Sequence, residues 1–121
     1  MTATTNSETA IASVVQHYLD GGIAGSSALM KPAFHEGATI FGYLGPDLIA
    51  GPIQVLFDWV DGNPPAPNLK GKIAGLNIAE SIATVRLELE DWSGHRFTDM
   101  FTLLHTNGEW KIISKVFHLH G

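Results

Sequence analysis

Residues 96–119, RFTDMFTLLHTNGEWKIISKVFHL, decide the fold. Two strand-like runs, 96–106 and 109–119, flank Asn107-Gly108. Asn-Gly between apolar runs signals a tight hairpin, because a type I′ turn needs positive φ at both central residues. Strict alternation across this hairpin puts Asp99, Ser114 and His118 on one face with Phe101, Leu103, Ile112 and Val116. A carboxylate and an imidazole on an otherwise apolar sheet face point to a pocket rather than a filled core.

Upstream, residues 69–78 and 82–91 read as a second hairpin turning at 79–81. Val85, Leu87 and Leu89 alternate with Arg86, Glu88 and Glu90. A turn at Ser93-Gly94 joins this hairpin to the first. The hydrophobic pattern chooses the register, because a one-residue slip flips every side chain. It favours an extra turn residue with Gly94 at a bulge, pairing Leu89 with Asp99, Leu87 with Phe101 and Val85 with Leu103. The inner face then continues through Trp110, Ile112, Ser114, Val116 and His118. The outer face carries Met100, Thr102, Ile113, Lys115 and Phe117.

The N-terminal part is helical. Ile11, Val14, Val15, Tyr18 and Leu19 repeat at i, i+3, i+4, i+7 and i+8, one apolar helical face. Thr5 and Glu8 have capping-box spacing after a frayed leader over residues 1–6, and Gly21-Gly22 supplies a stop. A short helix through Leu29 and Met30 follows, then a loop at His35-Glu36-Gly37 and a strand over 38–44. Gly45-Pro46-Asp47 turns into a short strand at 48–50. Gly51-Pro52 opens a further helix with Ile53, Leu56, Phe57 and Val60 buried. Helices first and a long meander after give an α+β domain spanning 1–121. Its mostly antiparallel sheet curves into a cone, and the N-terminal helices pack on the concave face. The open end of such a cone is a natural ligand cavity.

Composition narrows the function classes. The 121 residues are 45% hydrophobic and 16% charged, with a net charge of −5. Seven Lys and Arg without a run predict no nucleic-acid partner and no anionic membrane partner. With no cysteine there are no disulfides, thiolate metal sites or Cys nucleophiles. No apolar run approaches the ~20 residues that span a bilayer. The start MTATTNSETA lacks the basic-then-apolar order of a secretory signal. A cytoplasmic protein is expected. Phosphate-binding and hydrolase motifs are absent, and no cofactor is expected.

Asp99 is the first candidate site residue. In an apolar cavity desolvation raises a carboxyl pKa and suits it to general acid–base work. The alternative is a structural carboxylate bonded to Ser114, a His or backbone. His118, diagonal to Asp99, forms a candidate couple with it. His35 at the cavity mouth and Ser114 are candidate hydrogen-bonding groups. Tyr18, Tyr43, Phe57, Trp59 and Trp92 are candidate walls for a flat or apolar ligand. Each also reads as plain core. His118 and His120, with His95 near, raise a metal site, but spacing fixes no third ligand and none is assigned.

The order helix, helix, AFHEGATIFGYL, helix GPIQVLFDWV, then HRFTDMFTLLHTNGEWKIISKVFH resembles the nuclear transport factor 2-like superfamily of cystatin-like α+β cones. Within it, the chain is most similar to the group labelled "putative lumazine-binding", related to SnoaL-like polyketide cyclases and ketosteroid isomerases. The resemblance covers residues 8–120. It implies a cone-shaped pocket, homodimers through the outer sheet face, and functions from isomerase and cyclase to non-catalytic binding. Asp99 falls on the late strand where ketosteroid isomerases carry a pocket acid. The strand over 38–44, near which they carry their base, holds no carboxylate.

Three readings follow. The first is a SnoaL-like pocket protein, and if an enzyme, a cofactor-independent isomerase, dehydratase or cyclase acting on an apolar carbonyl compound. The second is a non-catalytic binder of an aromatic or heterocyclic ligand. The third is a partner-binding module, by default a homodimer through Met100, Thr102, Ile113 and Phe117.

Overall fold

The computed structural model describes residues 2–121, with side chains from residue 6 onward. Helix α1 (Thr2–Ala24) is followed by α2 (Ser27–Met30) and a 3₁₀ turn over Lys31–Ala33. Strands β1 (Phe34–Leu44) and β2 (Asp47–Pro52) precede α3 (Gln54–Asp61). Four long strands complete the chain: β3 (Lys70–Ala79), β4 (Ile82–Trp92), β5 (His95–Thr106) and β6 (Glu109–Leu119). The six strands form one curved, unclosed sheet in the order β2-β1-β6-β5-β4-β3, all antiparallel except β1 against β6. The α+β cone expected from the sequence is the fold observed.

The apolar stripe of α1 lies on the concave face, with Ile11, Val14, Val15, Tyr18 and Leu19 all buried. One continuous core joins this stripe to Leu56, Phe57 and Val60 of α3 and to Val85, Leu87, Leu89, Phe101, Leu103 and Ile112 of the sheet. Ser27 ties α2 to the end of α3. Its backbone N–H and hydroxyl donate to the two Asp61 carboxylate oxygens at 2.9 and 2.7 Å. No helix among the described residues is long and apolar enough to cross a membrane.

Helix α1 passes straight through Gly21-Gly22, the expected stop, and ends at Gly25 with φ +66°. The first two glycines serve close packing instead. A Cβ on Gly21 would lie 2.5 Å from Met30 Cβ, and one on Gly22 would lie 2.7 Å from Leu69 Cδ2. The helical backbone already includes residues 2–6, where a frayed leader was expected. The expected Thr5–Glu8 capping box falls on a side chain outside the described residues. Residues 35–37, expected as a loop, belong to β1, whose pairing with β6 is irregular between Phe34 and Thr39. Pro52 ends β2 opposite Thr39 rather than opening α3.

The β5–β6 hairpin turns at Asn107 (φ 53°) and Gly108 (φ 78°), as its sequence requires. The β4–β5 connection differs from expectation. Its turn is only Ser93-Gly94, and the extra residue sits within β4 before Trp92, where Asp91 takes φ 58°. Leu87 therefore faces Asp99, Val85 faces Phe101 and Leu89 faces Phe97. This register is shifted by two residues, so the same side chains point inward.

A second irregularity has larger consequences. Thr102 pairs with Ser114, but Leu103 pairs with Ile112, leaving Ile113 as a bulge in β6. An extra residue inverts the alternation beyond it. Ser114, Val116 and His118 thus face outward, and Lys115 and Phe117 face the core.

Gly42 of β1 lies opposite Phe117, and a Cβ there would come within 2.5 Å of both the Phe117 ring and its carbonyl oxygen. Overpacking of this kind costs about 1–3 kcal/mol. A Gly42→Ala variant is expected to lower the urea unfolding midpoint accordingly, and an unchanged midpoint would show that the β1–β6 contact yields freely.

Candidate functional site

Helix α1 places Tyr18 over the concave face, where it meets the inward residues of β5 and β6. Its hydroxyl donates to Asp99 Oδ2 at 2.6 Å. Lys115 Nζ donates to Asp99 Oδ1 at 3.2 Å. All three residues are buried: Tyr18 and Asp99 are 0% exposed and Lys115 4%. A buried ion costs several kcal/mol unless it is paired and hydrogen-bonded, and here each group supplies the other's partner. The Lys115 ammonium also lies 4.7 Å from the Phe117 ring centroid and 5.4 Å from that of Tyr18, within cation–π range.

Burial perturbs the two ends of this cluster in opposite senses. Desolvation, reinforced by the Asp99 charge and hydrogen bond, pushes the Tyr18 phenol well above its usual 10.0. Desolvation lowers the Lys115 ammonium from its usual 10.5, with Asp99 offsetting part of the effect.

A cavity of about 80 Å³ opens beside this cluster. That is several times the roughly 10–15 Å³ a single water needs. Tyr18 and Lys115 lie in its lining with Trp92, Phe117, Ile40 and Leu56, and Leu44, Ile49, Val55, Trp59 and Phe97 complete it. The partly exposed Val55 and Trp59 mark the mouth, and the buried Tyr18 and Lys115 mark the floor. Asp99 sits behind them with both oxygens bonded. The aromatic wall is a chain of edge contacts: Tyr18 to Trp92 at 5.6 Å, Trp92 to Trp59 at 6.0 Å, Trp92 to Phe97 at 6.1 Å and Phe97 to Phe117 at 6.1 Å.

Of the residues selected from sequence, Tyr18, Trp59, Trp92 and Asp99 come together here. His118 does not join Asp99. The bulge at Ile113 turns it outward, opposite Thr98 and Tyr43, with its ring 4.8 Å from that of His120. Ser114 is turned outward by the same bulge, opposite Thr102. Tyr43 is 58% exposed on the outer face. Half-buried His35 accepts the Gly37 N–H at 2.9 Å through Nδ1, a local contact within β1. Phe57 packs in the core against Phe34 at 5.7 Å, under Lys31 Nζ, and is not part of the cavity lining. His95 packs on Phe97 rather than on the other imidazoles, and no group of three or more metal-ligating side chains occurs among the described residues.

Sequence reasoning missed Lys115. The adjacent pair Ile112-Ile113 was the available signal, because two large aliphatics in succession break an alternating strand and mark a bulge.

The family model described as "Putative lumazine-binding" matches residues 6–118. A protein named aldolase FrzH, from Cladobotryum sp., is 30% identical over 102 residues, covering 84% of this chain and 82% of its own length. A nuclear transport factor 2-like protein of unknown function from Shewanella baltica superposes with a TM-score of 0.91 at 41% identity, covering 97% of this chain and 96% of its own. A ketosteroid isomerase-like protein from Erwinia carotovora atroseptica shares the fold, with a TM-score of 0.70 at 12% identity and coverage of 93% and 95%.

The cluster has an alkaline signature. Tyr18's raised pKa means the native state keeps a proton that the unfolded chain loses near pH 10, so its contribution to stability falls as pH rises above 10. Ultraviolet titration is expected to show one phenol ionising only as the protein unfolds, and Tyr18→Phe is expected to remove that late phase. Truncating Lys115 strands the Asp99 carboxylate with only Tyr18. Breaking a buried pair costs about 3–5 kcal/mol, so Lys115→Met is expected to unfold at markedly lower urea, and adding Asp99→Asn to restore part of the loss.

Proposed function

This chain belongs to the family described as "Putative lumazine-binding", and from that premise we propose that it is a small-molecule pocket protein performing cofactor-independent chemistry at the carbon beside a carbonyl group. The observation that carries the reading is the placing of Tyr18 and Lys115, both bonded to Asp99 behind them, in the lining of an otherwise apolar, aromatic-walled cavity. A flat, mostly apolar carbonyl compound fits such walls, and its oxygen would meet the Lys115 ammonium on the floor.

In this reading the Lys115 ammonium, which has N–H donors beyond the one given to Asp99, holds the carbonyl oxygen and stabilises the negative charge that develops when the neighbouring carbon loses a proton. That proton passes to the Tyr18 oxygen as Tyr18 passes its own to Asp99. Asp99 is thus a positioning group and proton store behind the two residues that touch the ligand. Isomerisation, dehydration and cyclisation all begin with this step. So does an aldol reaction, and the similarity to a protein named an aldolase supports carbonyl chemistry of this kind.

A second reading concerns the outer sheet face. Met100 pairs with Val116 and Val116 with Phe41, a continuous exposed apolar row across β5, β6 and β1. Phe117, expected in this patch, points into the core with 7% exposure, so the row is Phe41–Val116–Met100 with Thr102 beside it. This exposed row supports a contact surface on the outer face, and a homodimer through it is the corresponding assembly.

Two outcomes check these readings. In D₂O, cyclohexanone and 2-tetralone are expected to take up deuterium beside the carbonyl faster with protein than with buffer. Tyr18→Phe is expected to slow the exchange by about 10²-fold or more; binding without exchange would make the protein a binder. Val116→Glu is expected to sediment as a monomer while wild type sediments as a dimer, and identical profiles would reject the outer-face interface.

A further inference from the structure

Lys115 is the residue that the proton-transfer reading uses least for what it costs. A tyrosine and a backbone donor could hold a carbonyl oxygen without burying an amine. Lysine's distinctive chemistry in a dry pocket is nucleophilic, because desolvation favours the neutral amine and an adjacent carboxylate can take its proton. The remaining lysines, Lys31, Lys70, Lys72 and Lys111, are not buried and lie outside this cavity. Lys115 alone among them combines burial, a cavity wall and a carboxylate within hydrogen-bond distance of Nζ.

We propose that Lys115 is a covalent nucleophile that forms a Schiff base with an apolar ketone or aldehyde in the cavity, with Asp99 and Tyr18 moving the protons. The proposal rests on the carbonyl reading above and adds the covalent step. Its geometry is the 3.2 Å contact from Nζ to Asp99 Oδ1 and the 2.6 Å contact from the Tyr18 hydroxyl to Asp99 Oδ2. The carboxylate therefore bridges the amine and the phenol. The depressed affinity of Lys115 for its proton, caused by burial, acts in the same direction.

The sequence of steps balances within the cluster and the substrate. The Lys115 ammonium gives a proton to Asp99, and the free Nζ pair attacks the carbonyl carbon. The carbonyl oxygen takes a proton from the nitrogen, giving a neutral carbinolamine. Tyr18 then protonates the hydroxyl and recovers its proton from Asp99. The C–O bond breaks, water leaves, and the nitrogen pair forms C=N⁺. The iminium charge stands where the ammonium charge stood, beside the Asp99 carboxylate. Loss of a proton from the adjacent carbon to Asp99, through Tyr18, turns the iminium into an enamine. That carbon then either takes the proton back from Asp99 through Tyr18, or attacks a second carbonyl whose oxygen takes that proton, and either course regenerates the iminium and the Asp99 carboxylate. Water adds to the final iminium and releases the product and Lys115. No metal, oxidant or reductant enters any step.

The substrate class is accordingly a small apolar ketone or aldehyde with a hydrogen on the carbon next to its carbonyl. Carboxylic esters and amides do not form imines and are excluded as substrates of this step.

The test treats wild-type protein with cyclohexanone or 2-tetralone and sodium cyanoborohydride, followed by intact mass measurement and peptide mapping. The proposal expects one adduct equal to the ketone's mass less one oxygen atom, on the peptide carrying Lys115. No variant is needed, so folding of a Lys115 mutant does not limit the result. Deuterium exchange is measured on the same ketones in parallel. Exchange without a Lys115 adduct would overturn the Schiff base and leave the proton-transfer reading standing. Neither exchange nor adduct would overturn both. An adduct spread over Lys31, Lys70, Lys72 and Lys111 would also overturn the proposal, as surface alkylation. A Lys115 adduct without exchange would uphold the covalent step and reject proton abstraction.

Discussion

A carboxylate with no exposure to solvent joins the helical layer to the sheet. Asp99 takes one hydrogen bond from Tyr18, 81 residues away on α1, and one from Lys115 on the adjacent strand. Apolar packing supplies most of the attraction between helix and sheet, but it does so without direction. The Tyr18–Asp99 bond supplies direction, because a misplaced helix would leave a buried carboxylate and phenol unsatisfied. The register of β5 against β6 is constrained in the same way, since a slip would bury an unpaired ammonium. Among the described residues no fully buried side-chain nitrogen or oxygen lacks a partner.

The architecture was legible because it depends on patterns that extend over many residues. The α1 stripe, the Asn-Gly turn and the alternation of β4 all survive errors of one position. The walls contributed by Trp59 and Trp92, and the placing of Asp99 and Tyr18 inside, follow from these long patterns. What was not legible depends on single residues. The glycines at 21 and 22 read as a helix stop because local propensity favours one. The close approach of Met30 and Leu69 overrides that propensity, and sequence spacing does not reveal such an approach. The β4 insertion lies before Trp92 rather than at the turn, and since it displaces the pairing by an even number of residues, the faces were assigned correctly.

The bulge at Ile113 is the opposite case. It displaces the alternation by one, so every residue beyond it was assigned to the wrong face. Ser114 and His118 entered the sequence reading as site residues because strict alternation put them inside, and Lys115 was excluded for the same reason. The pattern favoured this result: a lysine at an inward position is costly, and only its pairing with Asp99 makes the true register acceptable. The compensation is visible only once both strands and α1 are in place, which is why the charged half of the site was hidden from a reading along one strand.

The same bulge determines both surfaces of the sheet. Turning Lys115 and Phe117 inward gives the cavity its amine and one of its aromatic walls. Turning Val116 and His118 outward aligns Val116 with Met100 and Phe41 in an exposed row. A regular strand would bury Val116 against Asp99 and leave Phe117 in solvent, giving a cavity without its amine and an outer face with a lysine at its centre. One inserted residue therefore gives the sheet a buried amine–carboxylate–phenol cluster beside the cavity on its concave side and an exposed apolar row on its convex side. The inner cluster and the outer row thus depend on a single register, and a change that removed the bulge would disturb both together.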